Sequence, residues 1–291
     1  MANSLREVKG RIKSTKSTAQ ITKAMYMVSQ SKVKKAEKTF KSYQDFMERI
    51  SNMASLVVKK SKEDYPHPLL TSREIKKTAY LIVTSDRGLA GAYNSSVFKE
   101  LTEMIKNNHK DEDEYICGAV GKLGFNYIKK MNYPLIYDEP ILIRDDIMFL
   151  DIIPISNAFI NAYIEGQIDK LVIIYNHFIN NLRIEIKEDV ILPIKDIKEN
   201  ENGIDYVFET GIEKTLDLIL PMYVKDVIYG IILDAKCSEH SSRMNSMKSA
   251  TDNAEEIIDK LELLYNRARQ NVVTTELIDI IGGANAIGGN E

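Results

Sequence analysis

Residues 5–57 read LREVKGRIKSTKSTAQITKAMYMVSQSKVKKAEKTFKSYQDFMERISNMASLV, and the spacing inside this stretch decides how the chain is built. Alternate steps of three and four from Leu5 pass through Val8, Ile12, Thr15, Ala19, Thr22, Tyr26, Ser29, Val33, Ala36, Phe40, Tyr43, Met47, Ile50, Ala54 and Val57. None of these positions is charged, although Lys and Arg crowd the residues between them. A seam held in a seven-residue register predicts a coiled-coil helix. After Gly10 neither glycine nor proline occurs until Pro66, so the helix should run unbroken. Its length would be roughly 80 Å at about 1.5 Å per residue.

The same stepping from Ile212 gives Leu216, Ile219, Tyr223, Asp226, Gly230, Leu233, Cys237, His240, Met244, Met247, Thr251, Ala254, Ile258, Leu261, Tyr265, Ala268, Val272, Thr275 and Asp279. Asp226, Gly230, His240 and Asp279 break the apolar rule. Pro221 should kink or restart the helix near its beginning. Globular helices average about three turns, so two segments of this length point to a pair packed along each other. Both seams carry small or hydroxylated residues: Thr15, Ala19, Thr22 and Ser29 in the first, His240 and Thr251 in the second. Such residues bury little area, so this stretch is expected to be shaped for an outside partner as much as for its mate.

Charge divides along the chain. Residues 1–62 hold 15 Lys/Arg against 4 Asp/Glu, a balance of +11, while the whole chain carries −3 and the remainder therefore −14. A basic arm on an acidic body suits an acidic partner, either nucleic acid or an acidic protein surface. Cys117 and Cys237 stand far apart, which argues against a disulfide framework and fits a reducing compartment. No run approaches the roughly 18 apolar residues that span a bilayer. The start lacks a secretory apolar core and contains Glu7, so no cleaved targeting peptide is expected.

Between the long helices the composition turns to α/β. Strands are predicted at Thr78–Thr84, Tyr115–Val120 and Lys170–Tyr175, with a short one at Leu135–Tyr137 and a half-exposed edge strand at Leu182–Leu192. Helices are predicted at Tyr93–Lys106, Lys122–Lys130 and Pro154–Gly166. Asn200–Gly203 reads as a polar turn. The alternation implies a mostly parallel sheet covered by helices. The expected fold class is therefore α/β plus coiled coil: antiparallel N- and C-terminal long helices with a central Rossmann-like α/β domain. The parts are an N-terminal coiled-coil helix at 1–60, a central domain at 61–208 and a C-terminal coiled-coil helix at 209–291.

Catalytic patterns are thin. The Gly88–Gly91 turn and the stretch Gly118-Ala119-Val120-Gly121-Lys122-Leu123 both follow strands, as phosphate loops do. The first lacks the three-glycine fingerprint and the second the hydroxyl that would face magnesium, so each reads as a tight strand-to-helix turn. His67, His109, His177 and His240 show no metal-ligand spacing, and no nucleophile elbow or acid/base pair is evident. No catalytic residue, cofactor or metal is expected.

Several motifs then converge. Residues 12–32 (IKSTKSTAQITKAMYMVSQSK), 85–91 (SDRGLAG), 238–244 (SEHSSRM), 247–253 (MKSATDN), 265–270 (YNRARQ) and 273–286 (VTTELIDIIGGANA) occur in this order. Together they closely resemble the gamma subunit of F-type, bacterial-type ATP synthase over the whole chain. Ala90 replaces a frequent cysteine of the SDRGLCG turn.

The resemblance implies a central shaft without an active site of its own. It would turn inside a ring of three alpha and three beta subunits, with its globular foot on the membrane c-ring and the epsilon subunit as a further partner. Proton or sodium flow would thereby couple to ATP synthesis or hydrolysis, at the cytoplasmic face of the cell membrane, peripherally. It further implies ring contacts at Lys23, Met25 and Arg243 low on the shaft and at Arg269, Gln270, Thr274 and Glu276 near the top. Asp205 and Tyr206 would meet the membrane ring. The second seam spans 68 residues against 53 for the first, so its last 15 should protrude as an apolar tip that needs a sleeve. The rival is a coiled-coil nucleic-acid-binding protein using its basic N-terminal arm; a second is a small-molecule enzyme holding its ligand at the Gly88–Gly91 turn.

Overall fold

The computed structural model describes residues 2–61, 66–195 and 211–288. Its elements run α1 (Ala2–Ser61), β1 (Thr78–Val83), α2 (Tyr93–Asn108), β2 (Tyr115–Val120), α3 (Lys122–Lys130), α4 (Phe149–Ile164), β3 (Lys170–Asn180), β4 (Arg183–Leu192) and α5 (Ile212–Gly288). Two compact units form: Met1–Val28 with Met244–Glu291, and Ser29–Arg243.

In the Ser29–Arg243 unit a four-stranded sheet has the order β2-β1-β3-β4. β1 pairs in parallel with β2 and β3, and β4 closes one edge antiparallel to β3. The central strands are continuous apolar runs because both faces are covered. Ala79, Leu81, Val83, Leu171 and Ile173 face a core shared with α4 and the first part of α5. Tyr80, Ile82, Val172 and Ile174 face α2 and α3 through Val97, Leu101, Phe125 and Ile128. This is the period-two alternation of a strand sandwiched between helical layers.

Both seams are visible in the burial. Every seam position of α1 from Leu5 to Val57 is buried or half-buried. Every seam position of α5 from Ile212 to Thr275 is too, and only Asp279 is exposed. Within Ser29–Arg243 the Tyr43 hydroxyl donates to Asp226, and Met47 fills the space above Gly230, where a Cβ would lie 2.7 Å from Met47 Cε. Within the other unit Thr251 Oγ1 lies 2.8 Å from Thr22 Oγ1, and Lys16 pairs with Glu262 at 2.6 Å. Numbers rise along α5 as they fall along α1 from Thr22–Thr251 to Lys16–Glu262 in one unit, and the same holds between Tyr43 against Tyr229 and Glu37 near Cys237 in the other, so the helices are antiparallel in each unit.

Four expectations need correction. α5 continues through Pro221 without restarting. α4 begins at Phe149, five residues before Pro154, because the Asp151 carboxylate accepts the Met148 N–H at 2.8 Å and fixes the first turn there. Leu135–Tyr137 forms a single bridge, Leu135 to Cys117, and no strand. Four of the small and polar seam residues are not left open for a partner, Ala19 and Thr251 being 8% exposed and Ser29 and His240 only 3%, whereas Thr15 and Thr22 are half-buried. Small side chains bring two backbones close together, and the helices themselves cover the stretch. Thr22 opposite Thr251 places Leu5 near Ala268, and uninterrupted exposure begins only at Glu276. The Asn200–Gly203 turn lies outside the described residues.

Candidate functional site

Phosphate binding at either glycine turn would need free backbone N–H groups at a helix start. At α3 they are already used. Asp86 accepts the Lys122 N–H at 2.9 Å, the Ser85 carbonyl accepts that of Leu123 at 3.2 Å, and Thr84 Oγ1 accepts that of Gly124 at 2.9 Å. Residues Thr84, Ser85 and Asp86 after β1 therefore cap the helix after β2. Gly121, with φ +104°, lets the chain turn into that helix against Thr84.

The rest of the SDRGLAG turn meets the SEHSSR stretch, so two motifs about 150 residues apart form one structure. Arg243 donates to the carbonyls of Arg87 at 3.1 Å and Gly88 at 3.4 Å while Glu239 holds its guanidinium at 2.8 Å. Ser242 Oγ donates to the Ala90 carbonyl at 2.6 Å. Neighbouring α5 residues serve other segments: Ser241 Oγ donates to the Asn181 carbonyl in the β3–β4 hairpin at 3.1 Å, and His240 Nε2 lies 3.4 Å from Asp145. Successive helical residues point about 100° apart, so one turn of α5 fastens three different loops around its circumference.

Asp145 gathers charge from both long helices, pairing with Lys32 of α1 at 2.6 Å and Lys236 of α5 at 3.5 Å. Burial would raise its carboxyl, but the Lys32 hydrogen bond and the charges of Lys236, Lys32 and His240 outweigh that and hold it at about 2. His240 goes the other way. Burial, helped by Lys236 and Arg243 and opposed by Glu239 and Asp145, lowers its imidazole to about 4, so the ring is neutral at pH 7. Its Nδ1 is buried without a hydrogen-bond partner. A cavity of about 250 Å³ beside it is lined by three lysines, Lys32, Lys35 and Lys236, and by the carboxylates Asp145 and Asp146.

Lower in the unit, buried Asp234 accepts the Phe178 N–H at 2.9 Å and sits 2.5 Å from His177 Nδ1. Burial raises its carboxyl against those two bonds. Among the described residues no cluster of three or more His, Cys, Asp or Glu is placed to hold a metal ion, and no helix is long and apolar enough to cross a membrane.

The expected contact residues fall in three places. Lys23 is exposed and Met25 half-buried on α1. Arg269, Gln270, Thr274 and Glu276 are all exposed on α5, with Arg269 and Glu276 two turns apart on one face and Gln270 and Thr274 one turn apart on another. Arg243 belongs to the Ser29–Arg243 unit, its side chain 12% exposed and its guanidinium engaged within the chain. Asp205 and Tyr206 lie outside the described residues. Asp145, Ser241 and Ser242 were not singled out from the sequence. The two serines sat inside a recognised motif, whereas Asp145 lies in a loop with no periodicity to mark it.

Comparison with known proteins places this geometry. The profile of the ATP synthase family matches residues 4–287. A chain of the Tetrahymena thermophila mitochondrial ATP synthase central stalk/c-ring structure is 25% identical, with a TM-score of 0.58, covering 79% of this chain and 99% of that one. A chain of the Euglena gracilis mitochondrial ATP synthase in rotational state 3 is 17% identical and superposes with a TM-score of 0.69, covering 100% of this chain and 97% of its own. Another from the Euglena gracilis rotor in rotational state 1 is 16% identical with a TM-score of 0.63, covering 94% and 100%. The chain belongs to the ATP synthase gamma-subunit family.

Proposed function

We propose that this chain is the central rotor shaft of an ATP synthase, non-catalytic in itself. The observation that carries the reading is the pair of antiparallel seams that end in an uncovered apolar tip, where Leu277, Ile278, Ile280 and Ile281 are each more than half exposed. A helix end with that surface calls for a surrounding sleeve. The ring of three alpha and three beta subunits supplies the sleeve, the epsilon subunit and the membrane c-ring meet the other end, and the complex holds the chain peripherally at the cytoplasmic face of the cell membrane. The helix of 1–60 and that of 209–291 form the shaft, and the domain of 61–208 is the foot. Asp205 and Tyr206 lie at the foot's contact with the c-ring.

An asymmetric shaft touches each beta subunit differently, so the three hold different nucleotide geometries. A third of a turn permutes them. Proton or sodium flow drives the turn, and the differential binding energy of the shaft in each state is the coupling. Lys23, Met25 and Arg243 act low in the ring and Arg269, Gln270, Thr274 and Glu276 near its top, while the basic arm is attracted to acidic ring segments. The aromatics that a nucleic-acid strand would stack on, Phe40 and Tyr43, pack against the core instead.

Purification from membranes under mild conditions should bring down alpha, beta and epsilon subunits together with this chain. Recovery of the chain alone, or with nucleic acid, contradicts the reading. Arg269→Ala and Glu276→Ala should each lower coupled ATP synthesis by about 5–10-fold, the scale of losing one charge-assisted contact. Thermal unfolding of the Ser29–Arg243 unit should not change. Unaltered turnover and rotation in both variants would remove these residues from the contact.

A further inference from the structure

Asp145 sits where an anion would sit in a cation site. Its carboxylate bridges the two long helices: Oδ2 lies 2.6 Å from Lys32 Nζ of α1, and Oδ1 lies 3.5 Å from Lys236 Nζ and 3.4 Å from His240 Nε2 of α5. The two sides of this contact differ in burial. Lys236 and His240 are 5% and 3% exposed within α5, whereas the Asp145 side chain is half exposed on a loop. A buried ammonium group is costly to desolvate and must find acceptors. Lys236 also finds the Ile143 carbonyl and Glu239, each at 3.2 Å, and Arg243 balances Glu239 at 2.8 Å. The helices therefore build the cationic nest, and the loop supplies one exchangeable acceptor.

The cavity of about 250 Å³ leaves room beside that acceptor. Lys35, about one turn beyond Lys32 on α1, lines it with Lys236, and Ala36, Ile147 and Leu233 form an apolar wall that strengthens charge interactions. Three ammonium groups outnumber the carboxylates Asp145 and Asp146, and His240 is neutral at pH 7. We propose that this cavity binds a phosphate-class oxyanion, held by Lys32, Lys35 and Lys236 in exchange for the Asp145 carboxylate. A phosphate group suits the exchange because it carries more than one negative charge near pH 7. It also has oxygens left for Lys35 once Lys32 and Lys236 are served. The source is either free inorganic phosphate or the terminal phosphate of a nucleotide. The proposal goes beyond the rotor reading and does not depend on it.

The test titrates the purified full chain with inorganic phosphate at pH 7 and constant ionic strength, against chloride as control, and follows the histidine ring signals by NMR. The chain has four histidines, and only His240 lines the cavity. Its signals should move and saturate near about 1 mM phosphate, the scale of two or three charge-assisted hydrogen bonds less the displaced carboxylate. Those of His67, His109 and His177 should stay. Lys35→Ala should weaken binding about tenfold, and Asp145→Asn, which removes the competing carboxylate, should tighten it about tenfold. Lys34→Ala, an exposed lysine of α1 outside the cavity lining, should leave it unchanged. ADP and adenosine separate the two sources: ADP binding much more tightly than phosphate, with adenosine inert, supports a nucleotide, and equal binding supports the free ion. Absence of saturation, movement of all four histidines, or equal losses in Lys34→Ala and Lys35→Ala would show diffuse attraction to a basic helix and overturn the proposal. Weaker binding in a folded Asp145→Asn chain would overturn the exchange.

Discussion

A chain carrying Gly121→Val is expected not to accumulate a folded Ser29–Arg243 unit. Gly121 sits at φ +104°, where a β-branched residue is strained by about 1–3 kcal/mol. A Cβ there would lie 2.6 Å from Thr84 Oγ1, and the Thr84 carbonyl is closer still. Neither side can give way. The Thr84 N–H is bonded to the Val120 carbonyl and the Gly121 N–H to the Ile141 carbonyl, both at 2.8 Å. Overpacking adds about 1–3 kcal/mol, bringing the loss to about 2–6 kcal/mol, whose upper end reaches the stability of a whole domain. Gly88→Val is the control: open space surrounds its Cβ direction, so its effect should stay within about 0.5 kcal/mol. Circular dichroism and denaturant melts compare the two. A folded Gly121→Val unit of ordinary stability would contradict this account of the β2–α3 turn.

Tyr43→Phe is expected to destabilise the same unit by about 2–4 kcal/mol at pH 7, because it strands a buried carboxylate. Asp226 is 1% exposed on the α5 seam, and the Tyr43 hydroxyl of α1 donates to it. Burial raises the Asp226 carboxyl above the ordinary range, and the Tyr43 bond opposes that rise. Removing the hydroxyl raises it further, so the native state then binds more protons than the unfolded state. Stability should therefore fall as pH rises from the ordinary carboxylate range through the raised folded value, and part of the loss should return in acid. The double variant Tyr43→Phe/Asp226→Leu should come within about 1 kcal/mol of wild type, since an apolar pair replaces a polar one of similar volume. The polar pair is then a register device in an otherwise apolar seam. A Tyr43→Phe loss that is flat between pH 4 and 8, or a double variant worse than the single, contradicts this.

The long helices were legible because a seven-residue period repeats many times. One misleading residue cannot hide it, and Leu5–Val57 and Ile212–Thr275 matched the buried positions throughout. The central strands were legible because burial on both faces leaves uninterrupted runs such as Ala79–Val83. What escaped was long-range and polar. The start of α4 was masked by Pro154, which imitates a first-turn proline although Asp151 sets the boundary. The openness of the small-residue seam was misjudged because a small side chain reads alike whether a partner or the chain's own helix covers it. The seam breakers Asp226, Gly230 and His240 each proved to have a local cause, in Tyr43, Met47 and Asp145, that only spatial neighbours reveal. The joining of the 85–91 turn to Ser242 and Arg243 depends on hydrogen bonds between segments about 150 residues apart, and spacing carries no trace of those.

A probe fixed at the β3–β4 hairpin tip, where Leu182 is 91% exposed, would follow this chain inside an assembly with alpha and beta subunits immobilised on a surface. On addition of ATP the account predicts unidirectional rotation in steps of a third of a turn. The motion should continue when Thr22→Cys and Thr251→Cys, whose native hydroxyls lie 2.8 Å apart, are oxidised to tie the two helices together. Sustained ATP hydrolysis with a stationary probe would contradict it.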